Sequence, residues 1–182
     1  SAVSIAKKAI EESDKTKPRY VALDIGPIGE MLEPMGTLSF DRAYDIFKRQ
    51  AIQGEKSGAD LIIIETMMDL YEAKAAVLAV KENTNLPVIC TMTFDENGRS
   101  FTGCLPESMV ATIEGLGVDA LGVNCSLGPK QLLPIVKTIT EIANVPVIVQ
   151  ANACLPVLEN NQAVYKMTAD EFFQGVREFV KL

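Results

Sequence analysis

Leu61-Ile-Ile-Ile-Glu65 is the run that decides how this sequence folds. Four aliphatic residues in a row, three of them β-branched, suit a strand covered on both faces, as in parallel sheets. Before it, Phe40, Tyr44, Phe47 and Ile52 follow helical spacing, with Ser39 placed to cap the helix and Gly58 to end it. After it, Leu70, Ala73, Val77 and Val80 predict a helix from about Asp69 to Glu82.

The same alternation continues in both directions. Tyr20-Val-Ala-Leu-Asp24 is a short apolar run ending at Gly26-Pro27. Pro87-Val-Ile-Cys-Thr-Met-Thr93 reads as a strand, and Pro106 suits the first residue of a helix running to Gly115. Asp119-Ala-Leu-Gly-Val-Asn124 is a fourth strand, with Pro129 opening a helix through Leu133, Val136 and Ile139. Pro146-Val-Ile-Val-Gln150 is a fifth, and after a loop Thr168-Ala-Asp-Glu171 has the pattern of a capping box for a last helix. Five strands alternating with helices predict a parallel α/β sheet with right-handed crossovers. A complete eight-stranded barrel usually needs about 250 residues, so on length an open doubly wound sheet is the expectation. No linker or low-complexity tract divides the chain, and residues 1–182 are read as a single domain.

With 48% hydrophobic and 23% charged residues, the composition is that of a globular protein. Residues 1–10 read as a helix and not as a secretory signal, and no apolar run approaches the roughly 18 residues of a membrane span. A cytoplasmic protein without membrane attachment is expected. A net charge of −7, with positive residues grouped only at Lys7-Lys8 and at Lys15, Lys17 and Arg19, argues against nucleic acid as a partner. The four cysteines, Cys90, Cys104, Cys125 and Cys154, show no CxxC spacing and read as reduced thiols. With no histidine in the chain, Ser-His and Cys-His nucleophiles are excluded, and any zinc site must rely on sulfur and carboxylate.

Ligands of parallel α/β folds gather at the carboxyl ends of the strands. Cys125 follows a strand end and precedes the turn Ser126-Leu-Gly-Pro129, near a helix N-terminus that favours a thiolate. It is either a metal ligand or nucleophile aimed into a pocket, or a small buried residue filling a turn. Glu65 can receive the ammonium group of an amino-acid substrate. Its structural alternatives are a cap-like contact to the next helix or a pair with a lysine. The loop 94–103, with Asn97-Gly98 inside it, is either a substrate lid or a simple turn, and Asp95 and Glu96 read as solvated.

Several stretches together carry a resemblance: Asp24-Ile-Gly-Pro-Ile-Gly29 with Leu32-Glu-Pro34, Ser39-Phe-Asp41 and Tyr44, then Ile62-Ile-Ile-Glu-Thr66 with Asp69 and Glu72-Ala73. Thr93-Phe-Asp95 with Gly98-Arg99, Gly122-Val-Asn-Cys125 with Gly128-Pro129, and Ala151-Asn-Ala153 continue it, and Gly-Val-Asn-Cys is the most specific piece. Over essentially its whole length the chain resembles the homocysteine S-methyltransferase family, in the homocysteine-binding module of its cobalamin-dependent, methionine synthase type. The resemblance implies a (β/α)8 (TIM) barrel, of which these are five consecutive βα units, the third to the seventh, in an incomplete barrel. That overrides the preference for an open sheet drawn from length.

In that family three cysteine thiolates hold zinc, one from the Gly-Val-Asn-Cys turn and two from a Gly-Gly-Cys-Cys motif on the last strand. Cys125 matches the first. The Cys-Cys pair and the first two strands have no counterpart here, and Cys154 stands where the family commonly has glycine. Glu65 matches the carboxylate that holds the substrate's amino group, and Asn124 lies beside the metal ligand as its orienter. The implied chemistry is methylation of homocysteine to methionine. A homocysteine thiol, with a pKa near about 8.5, is bound to zinc as thiolate and takes its methyl group from methylcobalamin. Cobalamin- and folate-binding modules of a parent chain would be its partners. The alternatives are an inert structural fragment without metal, and a relative using betaine or S-methylmethionine as donor. Unclosed, such a sheet leaves the strands at 20–24 and 146–150 as edges, which predicts self-association.

Overall fold

The computed structural model describes residues 2–14, 16–154, 157–159 and 162–182. Ser1 of the expected first helix and Lys15 of the basic cluster lie outside the described residues. A helix α1 (Ala2–Glu12) leads into β1 (Ala22–Ile25), α2 (Phe40–Lys56), β2 (Leu61–Met67), α3 (Leu70–Asn83), β3 (Val88–Met92) and α4 (Pro106–Gly115). Then come β4 (Ala120–Asn124), α5 (Pro129–Ile142), β5 (Val147–Gln150), a hairpin of β6 (Val157–Glu159) and β7 (Gln162–Val164), and α6 (Ala169–Phe179). Strands β1 to β5 form one parallel sheet in sequence order.

The helix ends follow the chemistry read from the sequence. The Ser39 side chain accepts from the Arg42 N–H, Pro106 and Pro129 open α4 and α5, and Thr168 and Glu171 form a reciprocal capping box. The first strand starts at Ala22, so Tyr20 lies outside it and is exposed. Two elements have no counterpart in the expectations: the hairpin β6–β7, which falls in the stretch read as loop, and the reach of β2 to Met67. No helix among the described residues is long and apolar enough to cross a membrane.

Register sorts the strand side chains onto two faces. Partners in a parallel ladder point the same way, and neighbours along a strand point oppositely. Ile62 pairs with Val88, Ile64 with Ile25 and Cys90, and Cys90 with Leu121, so these share the face that packs against the helices. All six are nearly inaccessible, together with Phe47 of α2, Met109 and Ile113 of α4 and Leu132 and Ile139 of α5. Helix α3 lies deepest, with Ala73, Ala75, Ala76 and Ala79 fully buried. Its small side chains let it sit close to the sheet between α2 and α4.

The opposite face carries Asp24, Ile63, Glu65, Ile89, Thr91, Gly122, Asn124, Ile148 and Gln150. It is concave. The Asn124 side chain on β4 reaches over β3 to bond Thr66 on β2 at 2.7 and 2.8 Å, although next-nearest strands of a flat sheet stand roughly 9.5 Å apart. Gly122 permits the curl, since a Cβ there would fall 1.8 Å from the Ile148 carbonyl oxygen on β5. Any side chain at that position would push the last strand outward.

The amino ends of the strands are closed by carboxylates. Asp60, just before β2, accepts from the Val21 N–H at 2.7 Å, and Asp119, just before β4, accepts from the Val88 N–H at 2.8 Å. Lys7 of α1 bonds Asp60 at 2.5 Å, and these two contacts hold the Asp60 carboxyl below its ordinary pKa. Val3 of α1 packs with Val21 and Ala59, covering this end.

Glu72, in the first turn of α3, is buried and accepts from the Ile28 N–H at 2.7 Å, pinning the loop after β1. Burial pushes its pKa above the ordinary 4.5 despite that bond, with Asp69 adding repulsion. A carboxyl whose folded-state pKa is raised gives stability that is full below the unfolded value and is lost as pH rises through the folded one. Glu72→Gln keeps an acceptor for Ile28 without the charge. Urea midpoints between pH 4 and 8 should therefore show wild type losing stability relative to Glu72→Gln as pH rises. A constant difference between the two proteins across that range rules out the assignment.

Candidate functional site

The carboxyl ends of β2, β3 and β4 depart from regular geometry. In β2 the register slips between Ile64 and Met67, and Thr66 adopts φ 62°, so the strand ends in a bulge. Such bulges re-aim the side chains around them. At the end of β4, Cys125 and Ser126 have φ 58° and 57°, two consecutive left-handed residues neither of which is glycine. This conformation is costly for residues with a Cβ and persists where the surroundings enforce it. Here they do: the Cys125 N–H bonds the Gln150 carbonyl at 3.0 Å, the Leu127 N–H bonds the Cys125 carbonyl at 2.7 Å, and the Ser126 hydroxyl bonds the Phe94 carbonyl at 2.8 Å.

The left-handed turn sets where the sulfur goes. In a continuing strand Cys125 would face the helices, opposite to Asn124. Instead its Sγ receives the Asn124 Nδ2–H at 3.6 Å, so the half-buried thiol keeps company with the polar network of the concave face. Asn124 itself is only 2% exposed. Its Oδ1 accepts from the Thr66 N–H and the Thr91 hydroxyl, both at 2.8 Å. Its amide is engaged by protein on every side, so it serves as a brace beside the sulfur.

Glu65 is half-buried on the concave face, one residue before the bulge. Neither structural duty considered for it is performed. Asp69 caps α3 by accepting from the Tyr71 N–H at 3.2 Å, and no lysine pairs with Glu65 among the described residues. A carboxylate in such a position is costly unless water or a ligand meets it.

A depression of about 340 Å³ opens at this end, lined by Met68, Thr93, Phe94, Arg99, Phe101 and Ser126. The loop 94–103 that borders it is knotted internally. The Asp95 carboxylate accepts from the Asn97 and Arg99 N–H groups at 2.9 Å each, which holds its pKa below the ordinary value. Asp95 therefore organises the turn and is more than a solvated charge. The loop's far end is tied to α3 where Thr102 donates to Asp69 at 3.1 Å.

The other cysteines lie elsewhere. Cys90 is on the helix-facing side of β3, and burial pushes its pKa up to about 12. Cys104 is raised by burial too, and its thiol bonds the Leu105 carbonyl at 3.2 Å. Cys154 lines a separate depression of about 630 Å³ between α5 and α6, with Pro129, Leu133 and Gly175. As a metal site the arrangement is partial. Among the described residues no three His, Cys, Asp or Glu side chains come together. What is present suits one sulfur ligand, Cys125, placed where a donor can be reached.

Thr91 belongs to this site and is not singled out by the sequence, which reaches Thr66 only as the strand-end neighbour of Glu65. The available signal was Thr91 itself, a hydroxyl inside an otherwise apolar strand, which needs a partner when buried.

Residues 1–182 match the sequence family described as homocysteine S-methyltransferase. Methionine synthase of Mycobacterium tuberculosis is 31% identical over 183 residues, covering 97% of this chain and 15% of that protein. Methionine synthase of Mycobacterium leprae is 31% identical over 182 residues with the same coverages. The chain thus spans about 15% of the length of these curated relatives. Among solved structures, the homocysteine methyltransferase MmuM of Escherichia coli superposes with a TM-score of 0.70 in its apo form, at 22% identity, over 81% of this chain and 56% of that one. Its metallated form gives 0.71 at 21% identity, over 81% and 55%. These likenesses carry the fold: five parallel βα units in one open sheet, as in an incomplete (β/α)8 barrel. The match along its whole length places the chain in the homocysteine S-methyltransferase family.

Proposed function

We propose that this chain is the homocysteine-binding part of a methionine synthase-type enzyme, methylating homocysteine to methionine. Glu65 receives the substrate's ammonium group, Cys125 supplies one thiolate to a zinc ion, and Asn124 orients that thiolate. The observation that carries this reading is a half-buried Glu65 carboxylate, unpartnered among the described residues, on the concave face that also holds the Cys125 sulfur contact. An amino acid with a thiol at its other end suits two such groups. Bound zinc would lower the proton affinity of the substrate thiol, leaving a nucleophilic thiolate at neutral pH. The remaining donors of a four-coordinate site come from outside the described residues.

The methyl donor in this reading is methylcobalamin on another module, alongside a folate-binding module, in a cytoplasmic protein. The name and length of the mycobacterial relatives support that choice. In the chain by itself, β1 and β5 are the edges of the sheet and the concave face is open. Unpaired strand edges invite association with a second copy.

In the full-length protein Cys125→Ser should abolish stoichiometric zinc binding, and Cys90→Ser should leave it intact, as read by metal analysis after dialysis. Equal losses in both variants would falsify the ligand assignment. Glu65→Gln should raise the homocysteine KM about 10- to 100-fold, the scale of a lost charge-assisted hydrogen bond, at unchanged zinc content. An unaltered KM removes Glu65 from the substrate site. By light scattering the 182-residue chain should form dimers or larger species as its concentration rises. A persistent monomer at high concentration contradicts association through the edges.

A further inference from the structure

An asparagine side chain offers two acceptor lone pairs and two N–H donors, and Asn124 uses all four. Its Oδ1 accepts from the Thr66 N–H and the Thr91 hydroxyl, and its Nδ2 donates to Thr66 Oγ1 at 2.7 Å and to Cys125 Sγ at 3.6 Å. A backbone N–H can only donate, so the oxygen must face Thr66 N and Thr91, and the nitrogen must face the sulfur. The orientation of the amide follows from chemistry and needs no visible hydrogens. No buried side-chain nitrogen or oxygen among the described residues lacks a partner, so the network is closed.

Thr66 contributes twice, through its N–H and its hydroxyl, and both contacts depend on its left-handed φ of 62°. That same conformation is the β2 bulge, and Glu65 is the residue that enters it. One amide therefore spans the distance between the carboxylate on β2 and the sulfur after β4.

We propose that Thr66 and Thr91 are positioning residues that lock the Asn124 amide so that its second N–H holds the Cys125 sulfur, while the same lock fixes the bulge presenting Glu65. This rests on the roles given above to Cys125 and Glu65. The lock couples the two ends of the substrate site: loosening Thr66 releases the sulfur contact and the carboxylate together. Without the Thr91 hydroxyl, Oδ1 keeps a single donor and the amide is free to tilt away from Cys125. Without the Thr66 hydroxyl, one Nδ2 proton is left unpaired in a buried place, and the bulge loses half of its anchor.

The full-length protein loaded with Co²⁺ alone provides the test, because sulfur-to-cobalt charge-transfer absorption reports the number and geometry of bound thiolates. Thr66→Val and Thr91→Val should each weaken cobalt binding about 10- to 100-fold, as loss of a ligand's hydrogen-bonding support does. They should also shift the band, and Thr66→Val should in addition raise the homocysteine KM. Thr66→Ser and Thr91→Ser keep the hydroxyl and should restore wild-type values. If both valine variants keep the cobalt affinity and band while Cys125→Ser diminishes the band, this inference fails and the proposed function stands. If Cys125→Ser leaves the band intact, both fail. Where a valine variant does not fold, ¹⁵N NMR of the unsubstituted chain decides. Exchange-protected Asn124 side-chain amide protons support the lock, and exchange at the rate of an exposed asparagine overturns it.

Discussion

A single buried amide, that of Asn124, ties three neighbouring strands together, and the shape of the sheet depends on it. Its bonds run to the β2 bulge, to a hydroxyl on β3 and to the residue after β4. A fully satisfied buried amide adds little net stability, since water would satisfy the same groups in the unfolded chain. Its effect lies in selection. Any alternative curvature or register would strand some of these groups without partners, at about 1–3 kcal/mol each, so the closed network discriminates against flatter arrangements of the same strands. Gly122 acts in the same direction from the next position on that face. It leaves room for the Ile148 backbone, so the tie can close without a steric cost.

The two ends of the sheet are built on different principles. At the amino ends, Asp60 and Asp119 satisfy strand N–H groups, and the left-handed residues are Gly58 and Gly117, for which that conformation is inexpensive. In the loops after the carboxyl ends, Gly29, Gly98 and Gly103 are left-handed too, but there Thr66, Cys125, Ser126 and Cys154 also adopt that conformation, and each of these four carries a Cβ. Backbone strain of this kind collects where a side chain must be presented in a direction that regular structure does not provide. The division matches the general rule for parallel α/β folds, in which one end secures the fold and the other holds the ligand.

Most of the fold was legible because its signals are local. Ser39, Asp69 and Thr168 announce helix starts, Pro106 and Pro129 do the same for α4 and α5, and aliphatic runs mark β2 to β5. The hairpin β6–β7 escaped because its strands are three residues long, too short for alternation to register. The bulge at Thr66 escaped for another reason. Threonine has no preference for a positive φ, and the amide that bonds Thr66 in that conformation belongs to Asn124, 58 positions away. Of the candidate site, the strand-end placement of Glu65, Asn124 and Cys125 was legible, because those positions follow from where each apolar run stops. The bonds that join them arise from pairing across strands, and no property of either strand alone contains them.

The acidic residues near the carboxyl ends show what is left over once the fold has been served. Asp69 caps α3 and receives Thr102, Glu72 pins the loop after β1, and Asp95 closes its own turn. Asp24 is exposed, and water is sufficient for it. Glu65 alone of these is half-buried and unbonded among the described residues, on a face where its neighbours Thr66, Thr91 and Asn124 satisfy one another. The network that could have quenched it is already saturated. A half-buried carboxylate left free in this way is costly unless water or a ligand meets it, and among the described residues the fold supplies no side-chain partner for it.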